Sequence, residues 1–130
     1  MRYIVLPLLL LASPAVAADQ FDLACQGTKW TKRGAAGEAY SFRARVDLAA
    51  KKWCEGECKT VQNLVSATDD KIVFTDEGTL NTRMEASREV TLDRKKGAFI
   101  HNFAQIRPDE QILYIAATCK TEGFTAFPAP

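Results

Sequence analysis

The sequence predicts an all-β domain: a small antiparallel meander of about seven or eight strands curled into a closed or nearly closed barrel, with a two-sheet β-sandwich as the alternative. Three observations predict it. Short segments rich in β-branched and aromatic residues alternate polar with apolar side chains, turn residues separate them at regular intervals, and cysteines sit in the first and last such segments.

The elements follow in chain order. Met1 and Arg2 precede an apolar run from Tyr3 to Leu11 broken only by Pro7, and Ser13-Pro14-Ala15-Val16-Ala17 supplies a helix break and small residues. This pattern reads as a secretory signal peptide over 1–17, cut after Ala17, followed by a single β-barrel-like domain over 18–130. The run is too short to span a membrane, and no second apolar segment follows it. Phe21, Leu23 and Cys25 share one face of the first strand. After the Gly34-Ala35-Ala36-Gly37 loop, Tyr40, Phe42, Ala44, Val46 and Leu48 alternate with Ser41, Arg43, Arg45 and Asp47, the mark of a half-buried strand. Val61–Ser66, Lys71–Thr75, Glu89–Leu92, Ala98–Phe103 and Gln111–Thr118 are further strand segments. Between them, Ala67–Asp70, Asp76-Glu77-Gly78, Asp93–Gly97 and Arg107-Pro108-Asp109 read as turns, and Asn81–Arg88 as a helical turn.

Leu, Ile, Val and Phe make up only about a fifth of residues 18–130, the lower edge for a globular domain. A small core needs covalent help, and four cysteines can give it. Leu113, Ile115, Ala117 and Cys119 share one strand face, so Cys25–Cys119 would tie the first strand to the last. In the chain-entropy view, such a bond contributes about 4–5 kcal/mol. Cys54 and Cys58 flank Glu55-Gly56-Glu57 and read as a local clasp across a three-residue turn, contributing about 2 kcal/mol.

Charge limits the partners. The chain has 17 Lys+Arg against 16 Asp+Glu, and one of the cations, Arg2, lies in the leader. A neutral domain argues against nucleic acid, whose phosphates demand a surplus of cations. The expectation is a monomer whose partner is an unknown protein or a small apolar ligand.

Catalytic patterns are sparse. The single histidine, His101, lies between Phe99 and Phe103 and reads as a packed strand residue. One histidine and four bonded cysteines leave no zinc ligand set, and no nucleophile elbow or phosphate loop occurs, so no cofactor, metal or catalytic residue is assigned. The Cys54/Cys58 spacing is not that of a thioredoxin-like motif. Glu55/Glu57 and Asp69/Asp70 lie in turns, where carboxylates are ordinarily solvated.

Two surface features remain for recognition. The clasped tip Lys51–Lys59 offers Lys52, Trp53, Glu55 and Glu57 as a rigid loop with an aromatic anchor, against the plainer reading that Trp53 packs beneath it. Arg43 and Arg45, with Lys29, Lys32 and Arg33 in one turn and Arg94, Lys95 and Lys96 in another, form a second set that could meet an anionic polymer or headgroup.

A leader, Phe21-Asp22-Leu23-Ala24-Cys25, a Cys54/Cys58 clasp after Arg45-Val46-Asp47-Leu48, and the Leu92–Gly97 turn resemble small exported bacterial proteins of uncharacterised function. A cysteine in the first strand and another in the last, within an all-β body, are also loosely similar to the periplasmic inhibitors of C-type lysozyme, which form a small antiparallel barrel. The Ser-Gly-x-x-Tyr inhibitory loop of that family is not found, since Gly37-Glu38-Ala39-Tyr40 keeps only a Gly and a Tyr, so no inhibitory residue carries over. The functional expectation is a non-catalytic periplasmic or secreted binding or envelope accessory protein. Its alternatives are a lysozyme-inhibitor-like protein and a lipocalin-like carrier with Phe42, Phe74, Phe99 and Phe103 lining a cavity.

Overall fold

The computed structural model describes residues 19–79 and 86–129, so the expected leader and its cleavage site lie outside the described residues. Nine strands form one antiparallel sheet: β1 (Gln20–Trp30), β2 (Glu38–Asp47), β3 (Lys52–Glu55), β4 (Gln62–Asn63), β5 (Ser66–Ala67), β6 (Lys71–Thr79), β7 (Ala86–Asp93), β8 (Ala98–Gln105) and β9 (Gln111–Glu122). Their order is β4-β3-β2-β1-β9-β8-β7-β6-β5, a single strongly curled sheet rather than the two sheets of a sandwich. No helix occurs among the described residues.

The first and last long strands are neighbours at the centre of that order. Cys25 faces Cys119 in the β1–β9 ladder and is bonded to it, and Cys54 is bonded to Cys58. Two disulfides are compatible with an oxidising extracellular environment.

β4 and β5 stand at opposite ends of the strand order, yet only Leu64 and Val65 separate them in the chain. The Leu64 amide donates to Lys51 O and the Val65 amide to Val73 O, so one short segment touches both edges of the curled sheet. We call this the stitched end. It also carries the turns after β2 and β7, the start of β1 and the end of β9. At the other, open end, β2 from Glu38 to Arg43 and β6 from Phe74 onward extend beyond their short outer neighbours.

Three expectations need correction. Asp76-Glu77-Gly78 is strand, not turn, because these residues pair with Glu89, Arg88 and Ser87 of β7. Ala86, Ser87 and Arg88 belong to β7 rather than a helical turn, while 81–85 lie outside the described residues. Val61–Ser66 is not one strand, because the chain passes from one sheet edge to the other at Leu64-Val65.

The inner face holds the core. Leu23, Val46, Ile72, Phe74 and Val90 are fully buried, with Phe21, Leu92, Phe99 and Ile115 packed among them. A β-bulge between Val73 and Thr75 turns two successive residues, Phe74 and Thr75, inward. Aromatic contacts cross the interior, with centroids 4.8 Å apart for Phe42–Phe99, 6.0 Å for Phe99–Phe74 and 4.9 Å for Phe74–Trp53. Large rings thus fill a volume for which the chain has few aliphatics.

Candidate functional site

The stitched end bears an open cleft of about 560 Å³. Phe21 and Leu23 at the start of β1 and Leu92 at the end of β7 line its apolar part, and Arg94, Lys95, Lys96 and Lys120 bring cations to it. A second cleft of about 440 Å³, lined by Leu48, Lys51, Leu64 and Val65, shares Arg94 with the first.

Local chemistry places the cations. Asp93 accepts from the amides of Lys95 and Lys96 at 2.9 Å, an Asx turn that shapes the β7–β8 connection. The amide of Lys96 leads the causes that hold the Asp93 carboxyl below its usual range. Gly97 closes the turn at φ 68°, and a Cβ there would lie 2.6 Å from Cys119 O, so only glycine fits against β9. The Arg94 guanidinium donates to Thr68 O at 2.7 Å, and Lys95 pairs with Asp70 at 3.0 Å. Among the described residues, Lys96 and Lys120 have no carboxylate within ion-pair distance. These two lysines are therefore the cations left to meet a ligand.

The clasped tip is arranged differently. Trp53 is only 4% exposed, its ring against Phe74, so it serves the core and is not an anchor at the surface. Among the described residues its buried indole N–H has no hydrogen-bond partner. Lys52 is held by Asn63, and Glu57 lies 3.7 Å from Lys59. Lys52–Glu55 is strand, so the reversal falls after it, at Gly56 and Cys58, both with positive φ. Glu55 is exposed as a residue, but burial around its carboxyl pushes that group's pKa up, a local and partly solvated effect. Burial, then the nearby Glu55 charge, raises the Tyr40 hydroxyl.

The expected cationic set is split. Arg43 pairs with Glu122 and lies 3.8 Å from Asp22, and Arg45 donates to Ala126 O at 2.8 Å, so both hold the C-terminal segment down. Lys29, Lys32 and Arg33 lie at the open end, where Arg33 pairs with Glu110 at 2.9 Å and Lys29 sits over the Tyr40 ring. Of that set only Arg94–Lys96 reach the first cleft, joined by Lys120, which the sequence did not single out, while Lys51 of the clasped tip lines the second cleft.

His101 lies on the inner side of β8, its Nε2 3.4 Å from Arg88 Nη1. Burial, then the guanidinium, lowers its pKa to about 4, so the ring is neutral at pH 7. No group of three metal-ligating side chains and no helix able to cross a membrane occur among the described residues. Compared with known proteins, the chain matches no protein family, no curated protein and no solved structure.

Proposed function

We propose that this protein is a non-catalytic, exported binding module, and that the stitched end takes an anion-bearing small molecule or headgroup. The observation that carries this reading is the cleft lined by Phe21, Leu23 and Leu92 together with Lys96 and Lys120. Two cations without carboxylate partners beside apolar walls favour a ligand with an anionic group and a short apolar part. Phe21, Leu23 and Leu92 are nearly buried, so the apolar contribution is small and the anion carries most of the recognition.

A carrier with an internal cavity is less favoured, because Phe42, Phe74 and Phe99 pack on one another across the interior. A lysozyme-inhibitor role has no sequence support, because the Ser-Gly-x-x-Tyr loop is not found.

Thermal-shift screening with carboxylated, phosphorylated and neutral short-chain amphiphiles tests the proposal. Anionic members should raise the melting temperature, and Lys96→Glu with Lys120→Glu should abolish the shift without unfolding the protein. Equal shifts from neutral and anionic members, or an unchanged response in the double variant, would sink it.

A further inference from the structure

The open end carries a second feature, separate from the cleft. At the stitched end, β3 and the 62–67 segment occupy the space between β2 and β6, about three inter-strand spacings of ~4.8 Å. Toward the open end neither continues. The Cys54–Cys58 clasp turns the chain away after Gly56, so that among the described residues β2 has no partner beyond Arg43 on that side and β6 has none beyond Val73. A notch about two strands wide therefore lies between two strand edges.

The β2 edge is the better defined. The Gly56 amide donates to Arg43 O at 2.8 Å, which fixes the backbone of Arg43 as facing the notch. Residues two apart in a strand direct their backbone groups the same way, so the N–H and C=O of Ser41 and Ala39 face it as well. Both residues are exposed, and β1 lies on the opposite side of the strand. Tyr40 and Phe42, stacked with centroids 5.6 Å apart, are half-buried on the inner face beside this edge.

Charge selects the occupant. Glu38 lies on the β2 edge, Glu55 and Glu57 border the clasp, and Asp76 and Glu77 lie on the opposing β6 edge. Of the cations near β2, Arg43 is engaged by Glu122 and Asp22, Lys59 already pairs with Glu57, and Lys29 sits over Tyr40, so Glu38 and Glu55 are the carboxylates on the β2 side without an ion-pair partner among the described residues. Carboxylates along a free edge also hinder pairing with a second copy of the same acidic edge.

We propose that the β2 edge is a docking site for an extended, basic segment of a partner protein, which adds as a strand through Ala39 and Ser41. Backbone hydrogen bonds supply the affinity, and Glu38 and Glu55 select for lysine or arginine. Inward side chains of the added strand meet Tyr40 and Phe42.

The test uses a capped Lys-Val alternating octapeptide, its Glu-Val counterpart and a backbone N-methylated Lys-Val peptide, read by anisotropy and by amide exchange. The Lys-Val peptide should bind at least tenfold more tightly than Glu-Val, slow exchange at Ala39 and Ser41, and lose binding when N-methylated. Ser41→Pro removes a donor facing the notch without touching the β1 ladder, so it should abolish binding at an unchanged melting temperature. Glu38→Lys with Glu55→Lys should invert the preference between the two peptides. Equal binding of both peptides, protection mapped to another strand, wild-type affinity in Ser41→Pro, or a β2-to-β2 dimer in sedimentation would each overturn the proposal.

Discussion

The two ends of the sheet are stabilised very differently. At the stitched end, short strands bridge both edges, Asp93 and Gly97 shape a turn against β9, and Asp22 anchors the C-terminal segment through the Thr125 amide at 2.9 Å and hydroxyl at 2.6 Å. Asp47 adds a lock there, accepting from Gln20 at 2.8 Å and from the Ala50 amide at 2.9 Å; the Ala50 bond leads the causes holding its carboxyl below the usual range. At the open end, strand edges run free and His101 faces Arg88 on a half-buried inner surface. Cohesion is concentrated at one end, and the other keeps backbone groups available. A thin-cored domain can leave an edge open because its fixings lie elsewhere.

The largest effect should come from the bond joining β1 to β9. Cys25→Ser with Cys119→Ser should cost about 4–5 kcal/mol against about 2 kcal/mol for Cys54→Ser with Cys58→Ser, measured by denaturant melts. Equal losses would break the contrast, because the clasp only turns the chain away from the notch. Next, Gly97→Ala should cost about 2–3 kcal/mol, since an alanine there combines positive φ with a clash against Cys119 O. Asp22→Ala should cost about 1–3 kcal/mol and free the residues after Gly123 to proteolysis, because two donors from Thr125 lose their acceptor.

The open end should show the smallest effect, through pH. His101 has a folded pKa of about 4, below its unfolded value, so the unfolded chain binds the proton more readily. Stability is then full above about pH 6.5 and falls as the pH drops toward about 4, by roughly 1–2 kcal/mol because the ring is partly solvated. Melts of wild type and His101→Gln across that window should converge at low pH.

Much of the sheet is legible in the sequence where one face is buried. Tyr40–Leu48 and Leu113–Cys119 alternate cleanly because the inner face must be apolar, and the cysteines fall on that same face. β3 was hidden by its brevity, and of the two readings its tryptophan allowed, surface anchor or ring packed beneath the turn, the structure shows the packed ring. Asp76-Glu77-Gly78 has turn residues, and only its partners in β7 hold it extended. The candidate cleft was half legible: Asp93–Gly97 announces a basic turn, but Lys120 reaches it through sheet curl, which no local pattern records. The edge exchange at Leu64-Val65 and the notch likewise follow from curvature.

The central pairing of β1 with β9 also bears on how the chain matures. Cys25 lies 94 residues from its partner, with Cys54 and Cys58 between them in the chain. Cys54 and Cys58, only four residues apart, can close on each other at once. Because the short loop closes at far lower entropic cost than the long one, the clasp should remove both wrong partners before Cys25 meets Cys119. Refolding of Cys58→Ser under an oxidant should accordingly trap Cys25 with Cys54, a species that peptide mapping detects and that wild type should scarcely form.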